Sequence, residues 1–194
     1  MVRKDVWEVR ENEKTCAIDI DGVLSRYPDG WLTFASAKLG KTFDDIFVMK
    51  NTVPYQQYRD LKHLYRISGV KEHLATLPNA SSLTLELKRL GYTIILLSKR
   101  PVDEYPVLFN QTVNWLSKNN IFYDGIIFDE NKHTKIINDI PHLKFMIEDH
   151  RYIANLVAKF GYRVFLVNTK YNEGEVLKNV IRINDLMEIF KWIK

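Results

Sequence analysis

Ala17-Ile18-Asp19-Ile20-Asp21-Gly22-Val23 decides how this chain of 194 residues is read. An apolar run stops at two carboxylates two positions apart, and a glycine follows at once. If Lys14 to Ile20 is a strand, its side chains alternate between faces, so Asp19 and Asp21 leave the strand end on the same side. Gly22 lets the chain turn there, because glycine tolerates backbone angles other residues avoid. Two like charges this close repel unless they share a proton or hold a cation. A divalent metal with oxygen ligands resolves the repulsion, which makes the stretch a candidate active site. A lone Asp-x-Asp recurs often by chance, so its weight depends on partners elsewhere in the chain.

Downstream, Pro28-Asp29-Gly30 between apolar-aromatic segments predicts a small hairpin or flap from Val23 to Phe34, hanging over the strand end. From Phe34 to about Leu77 the pattern is helical and mixes aromatic with basic residues, punctuated by Gly40 and Gly69. The expected organisation is a helical insertion over 34–78, between core segments 1–33 and 79–194. Ser81 or Ser82 is the expected cap of a helix that runs to Leu90 and closes at Gly91. Strands are expected at Thr93–Leu97, Gly125–Phe128, Lys144–Ile147 and Arg163–Val167. Helices are expected at Pro106–Ser117, Lys132–Asn138 and Tyr152–Phe160, with a terminal amphipathic helix at Asp185–Ile193. Such alternation predicts an α/β layer fold around a parallel sheet. Ligands of these sheets sit beyond the carboxyl ends of the strands. Asp19/Asp21, Ser98/Lys99/Arg100 and Glu148/Asp149 all fall at such ends.

Composition narrows the field. The chain is 46% hydrophobic and 27% charged, enough to bury a core. Its net charge of +4 suits an anionic substrate, and no Lys/Arg block is long enough to argue for nucleic acid. Cys16 is the single cysteine, so there is no intramolecular disulfide and no cysteine metal site. It is expected to be inert packing in the first strand. Residues 1–8 hold no apolar stretch resembling a signal peptide, and no run of 18 apolar residues predicts a membrane span. The expectation is a cytoplasmic protein with no membrane partner.

These residues resemble the haloacid dehalogenase (HAD) superfamily of aspartate-nucleophile phosphatases, and within it 5′-nucleotidases of the deoxyribonucleotidase type. The resemblance runs from about Thr15 to Val167. Asp19-Ile20-Asp21-Gly22-Val23 is similar to the first motif, and Leu97-Ser98-Lys99-Arg100-Pro101 to the second. Thr112–Leu116 and Tyr123–Phe128 are similar to the segment that follows it. Ile147-Glu148-Asp149 resembles the fourth motif, with Glu148 where the family often has aspartate. Lys132 is the candidate for the third-motif lysine, with Lys135 and Lys144 as rivals.

The resemblance implies a HAD-like Rossmannoid parallel sheet with helices on both faces and a helical cap inserted after the first strand. The first-motif strand would be central, between the strands ending at Ser98 and at Asp149. It also implies a Mg²⁺-dependent phosphomonoesterase in which Asp19 attacks phosphorus and Asp21 is the acid and base. The metal would be held by the Asp19 carboxylate, the Asp21 backbone carbonyl and Asp149, with Glu148 as the other candidate ligand. Ser98, Lys99 and Arg100 would hold the phosphoryl group, and Lys132 would stabilise its charge. The implied substrate is a small phosphorylated molecule, a (deoxy)nucleoside monophosphate. The alternatives are a 3′-phosphatase for nucleic-acid ends and an idle binding module. Tyr27, Trp31, Phe34, Tyr55, Arg59, Tyr65 and Arg66 either line a base site or form the insertion's own core and solvated face.

Overall fold

Every residue from Thr15 to Ile20 is buried, which places this run in the middle of a sheet rather than at its edge. The structure, a computed structural model, describes residues 14–140 and 142–193. Residues 1–13, which belong to the expected core segment 1–33 and carry the stretch read for a signal peptide, lie outside the described residues. The run forms β1 (Lys14–Asp19). It is followed by β2 (Tyr92–Ser98), β3 (Gly125–Phe128), β4 (Leu143–Glu148), β5 (Arg163–Val167) and β6 (Val180–Ile183). All pairings are parallel, in the order β3-β2-β1-β4-β5-β6. β1 therefore lies between β2 and β4, as the resemblance implied. Its register sets Asp19 opposite Leu97 and Ile18 opposite Ile147, so Ser98 and Glu148 fall one step further along the neighbouring strands.

The strands read as continuous apolar runs because both faces are covered. Cys16, Ile18, Ile94, Leu96, Phe145 and Phe165 point into one layer. That layer is closed by α4 (Ala80–Arg89), α5 (Val107–Lys118) and the C-terminal segment. Ala17, Ile95, Leu97, Met146, Val164 and Leu166 point into the other, closed by α6 (Lys132–Asp139) and α7 (Arg151–Lys159). Each large apolar side chain fully buried in these layers contributes roughly 1.5–3 kcal/mol. Cys16 is packed here, and burial pushes its thiol far above the ordinary value.

Between β1 and α4 lie α1 (Asp29–Leu39), α2 (Ile46–Thr52), α3 (Tyr55–Ile67) and a short 3-10 helix, Val70–His73. These helices share a cluster of their own, with Trp31, Met49, Leu61 and Tyr65 at its centre. The Trp115 indole of α5 donates to the Leu74 carbonyl at 2.7 Å and ties this segment to the core.

Several expectations change. The hairpin expected over Val23–Phe34 is a helix from Asp29 onward. Proline before a first turn that carries an acidic residue is also a helix start, and this sequence uses it that way. Gly30 has no room for a side chain, because Leu74 occupies the position of its missing Cβ. Ser81 and Ser82 do not cap α4; the cap position is Asn79, in the left-handed region, with its side chain on Asp185 at 2.8 Å. The terminal helix expected at Asp185–Ile193 is a 3-10 helix at Leu186–Lys191, opened by Asp185 and Glu188 in a reciprocal cap. Its apolar face holds, with Leu186, Ile189 and Ile193 buried. β6 is a four-residue edge strand outside the expected set, too short to announce itself by alternation. No helix among the described residues is long and apolar enough to cross a membrane.

Candidate active site

Three carboxylates and one ammonium meet at the carboxyl ends of β1 and β4. Asp19 is the last residue of β1; its Oδ2 contacts Lys132 Nζ at 2.6 Å and its Oδ1 accepts from the Ile20 amide at 2.7 Å. Lys132, the first residue of α6, also reaches Glu148 Oε2 at 3.1 Å. The other Glu148 oxygen accepts from the amides of Asp149 at 3.3 Å and His150 at 3.1 Å. Asp149 accepts from the Tyr171 hydroxyl through Oδ2. Oxygens of Asp19, Glu148 and Asp149 lie within 4.8 Å of one another, and all three residues are buried. Burial pushes Asp19 up to about 7 against the pull of Lys132. Burial, with Glu148 and Asp19 alongside, also raises Asp149 well above the usual carboxyl range. Glu148 goes the other way: burial would raise it, but Lys132, the Asp149 side chain and the His150 amide hold it down.

Asp21 has a different neighbourhood. Arg100 grips it with both faces of a fork, Nε on Oδ2 at 2.9 Å and Nη2 on Oδ1 at 2.7 Å. Lys71 Nζ adds a contact to Oδ2 at 3.0 Å and Ser25 Oγ donates to Oδ1 at 3.0 Å. Burial alone would raise this carboxyl; Arg100 and Lys71 hold it well below the ordinary range. Arg100 is fixed in turn by Thr112, whose hydroxyl accepts from Nη1 at 2.8 Å. Gly22, at φ +98°, passes so close to Asp149 that a Cβ would collide with its carboxylate. Only glycine fits both the angle and the approach.

The two groups border one cavity of about 250 Å³, which Lys62, Tyr27, Tyr65, Arg66 and Lys71 close from the helical side. Asp19, Asp21, Ser98, Lys99, Arg100, Lys132, Glu148 and Asp149 all line it. Ser98 is buried and its hydroxyl accepts from the Arg100 amide at 3.3 Å, whereas Lys99 is exposed. The rival lysines lie elsewhere. Lys135 pairs with Asp139 at 3.0 Å on the outer face of α6, and Lys144 is exposed at the opposite end of the sheet. Of the aromatic and basic residues noted in the insertion, Tyr27, Tyr65 and Arg66 reach the cavity. Trp31 and Phe34 belong to the helical cluster, and Tyr55 projects outward, 75% exposed, with Arg59 beside its ring.

Sequence reasoning passed over Lys71, Tyr171 and Asn172. Asn172 donates to the carbonyls of Asp149 and Val167, both at 2.7 Å, and so fixes the loop that carries Asp149. Tyr171 and Asn172 follow β5, whose carboxyl end opens on the same edge, so the strand-end rule that found Asp149 applies to them too. Lys71 follows Gly69 in a short 3-10 turn, and no local pattern marks it.

No family model matches the chain. Over 120 residues, 61% of its length, it is 28% identical to the Bacillus subtilis (strain 168) protein named "Putative nucleotidase YqfW". That match spans 60% of the relative's own length. A solved structure titled as a predicted phosphatase, from Clostridium acetobutylicum, superposes with a TM-score of 0.66 at 17% identity, covering 93% of this chain and 98% of that one. A haloacid dehalogenase-like family hydrolase from Streptococcus pneumoniae gives 0.63 at 14% identity, covering 94% and 99%. Identities this low speak to architecture alone. Together with the central position of β1, they establish that the chain has the haloacid dehalogenase-like α/β fold.

Proposed function

We propose that this protein is a Mg²⁺-dependent phosphomonoesterase, a 5′-nucleotidase acting on (deoxy)nucleoside monophosphates. The observation that carries the reading is the charge of the strand-end cluster. Asp19, Glu148 and Asp149 surround a single ammonium, Lys132, while Asp21 is already neutralised by Arg100 and Lys71. The surplus of two negative charges, all on oxygen, fits one divalent cation with hard-oxygen preference. Asp149 is the better ligand of the fourth-motif pair, because both Glu148 oxygens are engaged and only one Asp149 oxygen is. Asp19 and the Asp21 carbonyl would complete the protein's share. Bound there, Mg²⁺ would offset the repulsion between the carboxylates and a phosphate dianion.

The residues then divide the chemistry. An Asp19 oxygen attacks phosphorus in line, the ester P–O bond breaks, and an aspartyl-phosphate forms on the protein. Asp21, ionised while Arg100 and Lys71 hold it, takes up a proton from solvent once the incoming phosphate has drawn one of them away, and gives that proton to the leaving oxygen. A water then attacks the aspartyl-phosphate, gives its proton to Asp21, and releases phosphate and Asp19. Ser98 and the Lys99 amide hold phosphoryl oxygens, and Lys132 offsets charge on the nucleophile and the transferred group. Segment 34–78 serves as the cap, and the small volume beneath it favours a small substrate over a polymer. The nucleotide preference rests on the name of the Bacillus relative. The buried, unpaired Cys16 fits a reducing cytoplasm.

Phosphate release is to be measured from nucleoside 5′- and 3′-monophosphates, sugar phosphates and a 3′-phosphorylated oligonucleotide, with Mg²⁺ and with EDTA. Metal-dependent release from the 5′-monophosphates is the expected result. Release from the oligonucleotide alone moves the activity to nucleic-acid ends, and no release from any of them overturns the enzymatic reading.

A further inference from the structure

The cavity holds a cation, caged by aromatic rings, for which the reaction above has no use. Lys62, on α3, extends into a cage of four aromatic rings: its Nζ lies 4.0 Å from the centre of Trp31, 5.8 Å from Tyr58 and Tyr65, and 5.9 Å from Tyr27. Among the described residues it has neither a carboxylate nor a hydrogen-bond partner, unlike Lys71, Arg100 and Lys132 in the same walls. The rings hold the ammonium in place through their negative faces but carry no net charge to balance it. Burial, with Lys71 and Arg66 nearby, pushes Lys62 down to about 7. A cation in such a place lacks an anion.

The charge of the whole cavity says the same. Its lining carries six cationic side chains, Lys62, Arg66, Lys71, Lys99, Arg100 and Lys132, against the four carboxylates Asp19, Asp21, Glu148 and Asp149. A divalent metal adds two positive charges and a phosphate dianion removes two. The positive surplus that remains lies on the helical side, across the cavity from Asp19.

We propose that Lys62 receives a second anionic group of the substrate, so that the preferred ligand is a phosphate monoester that also carries a further phosphate or a carboxylate. The aromatic cage keeps the ammonium at a fixed depth, which sets the spacing between the two anionic groups. This rests on the reading of the site as a phosphomonoesterase and specifies its substrate class. A nucleoside bisphosphate would meet this description, and a simple nucleoside monophosphate would then be the poorer substrate.

Binding of non-hydrolysable phosphonates separates this inference from the question of turnover. Calorimetric affinities in Mg²⁺ would be compared for methylphosphonate, methylenebisphosphonate, 1,3-propanebisphosphonate and 3-phosphonopropionate, in wild type, Lys62→Met and Lys62→Arg. At least one two-anion ligand is expected to bind wild type about tenfold more tightly than methylphosphonate, the worth of one charge-assisted hydrogen bond. Preference for 3-phosphonopropionate over the bisphosphonates would identify the second group as a carboxylate. The ratio of two-anion to one-anion affinity should fall close to one in Lys62→Met and persist in Lys62→Arg. No preference in wild type, or a preference unchanged in Lys62→Met, overturns the proposal; the second result would assign it to metal chelation. A protein that shows the preference but hydrolyses no phosphate ester would instead overturn the enzymatic reading and leave the Lys62 site standing.

Discussion

On the sheet side of the cavity, Asp19, Glu148 and Asp149 stand at strand ends whose positions follow from parallel pairing. On the helical side, Lys62, Lys71, Tyr27 and Tyr65 are placed by packing within a separate cluster. The sheet wall has more carboxylates than cations, and the helical wall has cations and aromatic rings. This difference suggests a division of labour, with chemistry on the rigid register of the strands and selectivity on helices free to change without disturbing it. Asp21 is where the walls meet, held by Arg100 from the sheet and Lys71 from the helices.

Substitutions can break or sharpen that division. The largest effect belongs to the sheet wall: Asp19→Asn should lower turnover by about 10⁴-fold or more while the protein stays folded, since it removes the proposed nucleophile. Phosphate release alongside circular dichroism checks this. Arg100→Met comes next. It strips a buried bidentate partner from Asp21 and should cost about 3 kcal/mol in urea unfolding. Lys71→Met, which removes a single contact from the helical wall, should cost about 1.5 kcal/mol. If the two variants cost the same, Asp21 belongs equally to both walls and the division fails at its junction.

Acidity gives a further test. The folded value of Asp19, about 7, lies above that of an ordinary carboxyl, and Asp149 is raised as well. Between about pH 4 and 6 the folded protein therefore holds protons that the unfolded chain has shed. In EDTA its stability should fall as pH rises, by up to about 1.4 kcal/mol per pH unit for each such proton. The depressed groups, Asp21 and Glu148, oppose this trend at the lower edge of the window, where their unfolded counterparts still hold protons, and fall silent above about pH 5.5, so the slope is read in the upper part. Asp19→Asn should shallow the slope; an unchanged slope would mean the crowding at the sheet wall is not what burial implies. The smallest effect is Lys135→Met. Its pair with Asp139 is half exposed, so stability should stay within about 0.5 kcal/mol of wild type and activity should not change. A loss of activity there would return Lys135 to contention as the lysine of the site.

Most of the sheet was legible because a strand buried on both faces writes itself as an unbroken apolar run. Gly125–Phe128 and Arg163–Val167 have the bounds expected, and the other expected strands differ by one residue at one or both ends. β6 was not legible: an edge strand of four residues is held by β5 more than by its own pattern. Pro28-Asp29-Gly30 misled because proline and glycine mark turns and helix starts alike. Leu74, 44 positions beyond Gly30 and packed against it, distinguishes the two only in the folded state.

The central place of β1 was implied only by the family resemblance; the sequence by itself determined the parallel sheet and the meeting of three polar clusters at one edge. These follow from local hydrophobic period and from the rule that parallel strands deliver their ends to the same side. The tertiary structure alone decided which lysine joins Asp19, which cations hold Asp21, and that Lys62 faces the cavity with no anion beside it. Those outcomes depend on contacts between residues tens of positions apart, such as Lys71 with Asp21 and Arg100 with Asp21. Charge carries no periodic signature of its partner, so only the packing of helix against sheet can select one.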